Sequence, residues 1–465
     1  MGNTEFSVRG RRVVVVGAAR SGIAAAELLA KRGARVMLTE QRPAFDGADH
    51  LRATGVEIEA GGHKEATLES ADLIVASPGV PLENPVFDGA RRRGVEMIGE
   101  LELASRWLRG RVIAITGTKG KSTTTTLVGR MLTAAGYPVL VGGNIGIPLS
   151  SQVEASTPET VHVVEASSFQ LETTNTFRPW IALWLNLADD HFDRHAGVDA
   201  YVSAKARVFA NQTANDWAVL NADDEVVSAQ GAHTAAQRVY FSLADHTQTG
   251  FVVDGDWIVQ RTPTSVDRLL PVSAVELAGR HMLNNVLAAT AVASIASVPS
   301  SAMVEALRGF HGLPHVMEPV ATIGGVRFVN DSKATNVEAA RRSIESFPAG
   351  VVAIVGGHFK GGDLRDLREP LSQRGAAVVA IGTATPLVHA ALDGVVPVLD
   401  AGSMREAVDR AYEAARPQGV VLLAPACASF DWFRDYAERG ESFKAEVARL
   451  VQSRGAGPRE PRSEE

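Results

Sequence analysis

Thr116-Gly117-Thr118-Lys119-Gly120-Lys121-Ser122 decides the fold, because it joins a strand to a helix. Upstream, Val112-Ile113-Ala114-Ile115 is apolar and rich in β-branched residues; downstream, Leu127, Met131 and Leu132 recur at helical spacing between Thr123 and Ala135. Glycines at 117 and 120 let backbone N–H groups turn inward around an anion, and the helix N-terminus adds its positive end. Lys121 supplies a full charge to outer phosphates, and the Ser122 hydroxyl suits a Mg²⁺ ion. The general phosphate loop has four residues between its first glycine and the Gly-Lys pair. Here two residues, Thr118 and Lys119, separate Gly117 from Gly120. A plain turn has no use for Lys then Ser in register after a buried strand. The chain is therefore expected to hold a nucleoside triphosphate through Gly117, Thr118, Lys119, Gly120, Lys121 and Ser122.

A length of 465 residues suggests about three domains, and 45% apolar content supplies several cores. The formal net charge of −7 argues against nucleic acid as a partner, which calls for a basic face. A single cysteine, Cys427, excludes an internal disulfide framework and a Cys-rich metal site, and fits a reducing compartment. The first ten residues lack the apolar core of a secretion signal, and no apolar run approaches the roughly 18 residues of a membrane span. A soluble, cytoplasmic protein is expected, with no membrane association and no obligate protein partner.

Three α/β blocks follow one another. The first opens with Val13-Val14-Val15-Val16, turns at Gly17–Gly22, and continues with a helix from Ile23 to Lys31 and strands near 35–39, 73–75 and 95–98. This predicts a Rossmann-like domain over 1–99, with Ser77-Pro78-Gly79 at a strand's C-terminal end, where ligands bind. The second block, 100–312, carries the phosphate loop on a parallel sheet with further strands at 161–164, 181–185 and 217–220. Between 237 and 272 the short alternating segments predict a small antiparallel excursion. A helix near 281–295 follows. The third block, 313–465, repeats buried strands at 351–355, 377–381 and 420–423, again Rossmann-like, and ends in a Gly-, Pro- and charge-rich tail expected to be disordered.

Several candidate residues stand at strand C-terminal ends. Glu165 closes the strand 161–164 and either holds Mg²⁺ opposite the phosphate loop or caps the next helix. His191, in Asn186-Leu187-Ala188-Asp189-Asp190-His191, is a metal ligand, an acid–base group or an ordinary histidine. Lys205 sits in a helical segment and from its chemistry alone is a solvated lysine. Gly142-Gly143-Asn144-Ile145-Gly146 permits close backbone approach to a ligand or makes a simple turn. Asn330–Asn336 and Gly356–Gly362, the latter containing Lys360, offer either caps or polar ligand contacts.

These motifs resemble the Mur ligase family from about Arg12 to Phe443. The resemblance rests on Gly117–Thr125, Gly142–Gly146, Glu165–Glu172, Asp331–Asn336 and Pro425–Asp431. The Ser167–Leu171 and Ala426–Ser429 runs favour the D-glutamate-adding members. The resemblance implies an ATP-dependent ligase that joins D-glutamate to UDP-N-acetylmuramoyl-L-alanine (UDP-MurNAc-L-Ala) through an acyl phosphate. It implies that Lys121 neutralises phosphate charge, that Ser122 and Glu165 hold one Mg²⁺, and that His191 and a carbamylated Lys205 serve a second. It further implies Asn285 and Asp331 at ATP, Ser77 and Asn144 at the nucleotide-sugar substrate, and Thr335, Lys360, Ser429 and Tyr436 around D-glutamate. Two positions depart from the family pattern. Met282 replaces the first asparagine of His-Asn-x-x-Asn, and Val316 replaces the arginine of Gly-Leu-Pro-His-Arg.

Overall fold

The computed structural model describes residues 6–188, 197–275, 280–310 and 312–455. Its backbone falls into two compact units, Met1–Phe310 and His311–Glu465. The expected three-part α/β order is present as three mainly parallel sheets, two in the first unit and one in the second.

The first sheet contains β1 (Arg12–Val16), β2 (Arg35–Glu40), β3 (Glu57–Ala60), β4 (Leu73–Ala76) and β5 (Glu96–Gly99), in the order β3-β2-β1-β4-β5 and parallel throughout. Strand order reverses between β1 and β4, so the crevice beyond their C-terminal ends is the natural ligand position of such a sheet. The Gly17–Gly22 turn and Ser77 flank that crevice, with Ser77 Oγ donating to the Gly17 carbonyl at 3.0 Å. A Cβ on Gly22 would lie 1.9 Å from the same carbonyl, which explains glycine there. The following helix starts at Arg20 rather than at Ile23.

The second sheet contains β6 (Arg111–Thr116), β7 (Val139–Gly143), β8 (Val161–Glu165), β9 (Ile181–Trp184), β10 (Trp217–Asn221), β11 (Gln237–Ser242), β12 (Gly250–Asp254), β13 (Trp257–Arg261) and β14 (Val266–Pro271). Their order is β14-β13-β12-β11-β10-β9-β6-β8-β7. Strand β6 is flanked by β8 and β9, and Ile113, Ala114 and Ile115 are wholly buried. Burial on both faces is why this strand reads as an unbroken apolar run. The expected antiparallel excursion begins later than its sequence pattern indicates. β11 runs parallel to β10, reached by a crossover through the Glu225–Ala229 helix, and antiparallel pairing is confined to β12, β13 and β14. Buried Glu102, in the Glu100–Ser105 helix that follows β5, ties that helix to the segment before β9. Its carboxylate accepts from the Asn175, Thr176 and Phe177 amides, the Thr176 hydroxyl and Arg106 Nε.

The third sheet, in the second unit, contains β15 (Glu318–Ile323), β16 (Val326–Asn330), β17 (Val351–Gly356), β18 (Gly375–Ile381), β19 (Val398–Ala401) and β20 (Val420–Leu423). The order is β15-β16-β20-β17-β18-β19, parallel except for the β15–β16 pair. Among the described residues, no helix is long and apolar enough to cross a membrane.

Candidate active site

Adjacent strands β8, β6 and β9 deliver Glu165, the phosphate loop and Asn186 to one edge of the second sheet. Gly117 (φ +150°) and Gly120 (φ +81°) adopt backbone that favours glycine. A Cβ on Gly120 would lie 2.2 Å from Asn285 Oδ1, so the helix Arg280–Ile295 presses its amide directly onto the loop. The helix that the loop opens runs Lys121–Ala134, with Gly120 at its N-cap.

The loop differs from a simple anion cradle. The Thr118 amide donates to the Asn186 carbonyl (3.0 Å) and to Asn186 Oδ1 (3.1 Å), and the Lys119 amide donates to Oδ1 at 2.9 Å. Anion-directed donors therefore come from the first turn of the helix, whose N–H groups have no intrahelical acceptor. Lys121 Nζ spans the loop, donating to the carbonyls of Gly117 (3.0 Å) and Thr118 (2.9 Å).

Lys205 is not the solvated lysine its local chemistry predicts. It is 1% exposed, its Nζ donates to the Gly117 carbonyl at 2.8 Å, and the same nitrogen lies 4.5 Å from the Tyr201 ring centroid. Two ammonium groups thus converge on one loop carbonyl. Periodicity missed this because the helix Val198–Ala206 buries Tyr201, Ala204 and Lys205 together, and only its tertiary position identifies that face.

Glu165 is 2% exposed at the end of β8. The helix-cap alternative fails: the cap of the next helix is Ser167, in a reciprocal capping box with Gln170. Asn144 Nδ2 donates to Glu165 Oε1 at 2.8 Å, whereas Oε2 is buried with no hydrogen-bond partner among the described residues. A buried, unpaired carboxylate oxygen is costly unless a cation meets it. Among the described residues, no group of three or more His, Cys, Asp or Glu side chains could hold a metal. One carboxylate with the Ser122 hydroxyl fits Mg²⁺, which retains waters and takes phosphate oxygens. His191 lies outside the described residues.

Other predicted positions are distributed as follows. Asn285 Nδ2 meets Met282 Sδ at 3.8 Å, so the departing methionine packs against the adjacent amide. In the second unit, Asp331 accepts from Ser343 Oγ and from the Met317 amide at 3.1 Å; burial pushes its carboxyl above the ordinary range. Val316 lies between His315 (φ 63°) and Met317 (φ 46°), both in left-handed backbone. Thr335 is half-buried, and Ser429 is buried. Lys360 is exposed, with Nζ 4.9 Å from the Phe430 ring centroid; Tyr436 is partly exposed and edge-on to His315.

Two important residues carry no role in the sequence reading. Asn186 is one; its signal was its place just past a strand facing the loop. The other is Arg439, 1% exposed, which donates to Ser332 Oγ (3.0 Å) and to the carbonyls of Ser332 (2.9 Å) and Cys427 (3.0 Å). It ties the loop after β16 to the loop after β20, and burial lowers its pKa to about 10.

A shortened phosphate loop on an interior strand of a mainly parallel sheet, with a buried carboxylate at the end of the neighbouring strand, defines a phosphate-loop nucleotide-binding enzyme class. Family models match as the Mur ligase MurD-like N-terminal domain over 11–99, the Mur ligase middle domain over 115–293, and the Mur ligase glutamate ligase domain over 317–427. The chain belongs to the Mur ligase family and is an ATP-dependent ligase of peptidoglycan precursor synthesis. It is 46% identical to the UDP-N-acetylmuramoylalanine--D-glutamate ligase of Acidobacterium capsulatum, covering 94% of this chain and 96% of that one. The enzyme of the same name from Solibacter usitatus is 44% identical, with 94% and 98% covered. Among solved structures, UDP-N-acetylmuramate-alanine ligase MurC from Thermotoga maritima shares the fold, with a TM-score of 0.58 at 18% identity over 95% of this chain and all of that one.

Proposed function

We propose that the chain adds D-glutamate to UDP-MurNAc-L-Ala in the cytoplasm. Its support is the near-full-length similarity to relatives bearing that activity in their names, together with an intact Gly117–Ser122 loop. The acceptor's carboxylate attacks the γ-phosphorus of ATP and expels ADP, leaving an acyl phosphate. The amine of D-glutamate then attacks the acyl carbon, loses a proton and displaces phosphate. Lys121 leaves the loop carbonyls to pair with phosphate oxygens, and the helix N-terminus orients them. Ser122 and Glu165 would hold one Mg²⁺, and His191 and Lys205 a second. Bound Mg²⁺ would offset charge developing on the phosphoryl oxygens.

For Lys205 to bind metal, its amine must add to CO₂ and lose a proton, becoming a carbamate. Asn285 and Asp331 are assigned to ATP, Ser77 and Asn144 to the nucleotide-sugar, and Thr335, Lys360, Ser429 and Tyr436 to D-glutamate. The corresponding domains are 1–99 for the UDP moiety, 100–312 for ATP and 313–465 for the amino acid. No obligate protein partner is required. Purified protein supplied with ATP, Mg²⁺ and the acceptor should release phosphate with D-glutamate; preference for L-lysine or diaminopimelate would refute the assignment. Labelled bicarbonate should give a ¹³C-carbamate signal that Lys205→Ala abolishes. Active enzyme with an unmodified Lys205 would refute that part.

A further inference from the structure

We infer that Asn186 is a positioning residue, a latch that fixes the shape of the phosphate loop. Only Thr118 and Lys119 lie between the loop glycines, and the amides of both donate to Asn186. Asn186 Nδ2 returns a hydrogen bond to the Lys119 carbonyl at 3.0 Å. One side chain thus accepts from two successive amides and donates to the carbonyl of the second. Asparagine suits this geometry because its short carboxamide carries both an acceptor and a donor. Aspartate keeps the acceptors without the donor, and leucine keeps neither.

The latch is itself anchored. Trp184 Nε1 donates to the Asn186 carbonyl at 3.1 Å, Asn221 Nδ2 donates to the Leu185 carbonyl at 2.8 Å, and the Leu187 amide donates to Asp224 Oδ2 at 2.7 Å. The Ala188 amide closes the ring by donating to Thr118 Oγ1 at 3.0 Å. The segment after β9 is therefore braced by the end of β10 and in turn braces the loop. A loop too short to surround an anion with its own amides is held from outside, with its mouth set over the helix N-terminus.

This role rests on the loop's binding ATP, but its first test does not. Amide hydrogen exchange of full-length, nucleotide-free protein should show Thr118 and Lys119 protected. Asn186→Leu should speed exchange of the Lys119 amide by about tenfold or more, the scale of one net hydrogen bond, while the Thr118 amide keeps the Asn186 carbonyl as an acceptor, exchange in β6 changes far less, and the melting temperature falls by no more than about a few degrees. Asn186→Asp should retain the protection through its acceptors. The second test is calorimetric titration with the β,γ-imido analogue of ATP and Mg²⁺. Asn186→Leu should weaken binding about tenfold, again the scale of one net hydrogen bond, without raising the KM for the acceptor. Unprotected wild-type amides, or exchange that rises in Asn186→Leu as much across the whole second sheet as at Lys119, would overturn the latch. Wild-type affinity for the analogue in Asn186→Leu would overturn its bearing on ATP.

Discussion

Glu165, His162 and Cys427 are all buried, and each makes a different demand on its surroundings. Glu165 keeps one carboxylate oxygen without a described partner, a cost that a cation would relieve. Glu165→Gln should raise the half-saturating Mg²⁺ concentration at least about tenfold, through loss of a charged ligand. Its melting temperature in metal-free buffer should equal or exceed that of the wild type, since a neutral amide is cheaper to bury. His162 is satisfied by Ser156 Oγ at Nε2 (2.8 Å) and Gln152 Oε1 at Nδ1 (3.2 Å), and burial lowers its pKa to about 4. Its sign is clear: between the unfolded value near 6.5 and the folded value near 4, the unfolded chain binds more protons. Stability should therefore fall as pH drops through that window, by up to about 3 kcal/mol from this group. Urea unfolding at pH 7 and pH 4.5 should show the loss, with a shallower pH slope in His162→Gln. Cys427 is wholly buried, and its thiol is pushed up to about 12. Ellman's reagent should find no reactive thiol in the native protein and one after denaturation.

At the scale of elements, the phosphate-loop helix was legible because apolar spacing, glycines and the Lys-Ser pair agree locally. Glu165 was legible as a strand-end carboxylate, but its metal and capping roles were separable only once Ser167 was seen to make the cap. The stretch 237–272 reads as antiparallel throughout because β11, exposed at Gln237 and buried at Phe241, is a short half-exposed strand whose own residues do not encode the direction of its neighbour. Gly120→Ala should abolish turnover: the added Cβ meets Asn285 at 2.2 Å and the backbone is left-handed. A steady-state assay with folded protein checks it, and activity near wild type would refute the close packing. Arg439→Met should destabilise the loops after β16 and β20, leaving the carbonyls of Ser332 and Cys427 without their guanidinium donor, at about 1–3 kcal/mol each. Chemical denaturation measures the loss, and unchanged stability would show that the clasp contributes nothing net.

At the scale of the whole molecule, each unit carries its own buried core. The second unit packs one cluster around Ala353, Val355 and Leu422 and another around Ile354, Val379 and Leu423, on opposite faces of β17, β18 and β20. Residues 311–455 should therefore fold alone, giving a cooperative urea transition and α/β circular dichroism; a non-cooperative transition would refute independence. The sequence by itself determined the three α/β blocks, the central position of the phosphate loop and the family, because buried parallel strands and glycine-bounded turns are local patterns. Only the tertiary structure decided the burial of Lys205 on the Gly117 carbonyl, the pressing of Asn285 onto Gly120 and the latching of the loop by Asn186. These contacts join residues far apart in the chain, and no local periodicity encodes which distant carbonyl or amide a side chain will meet.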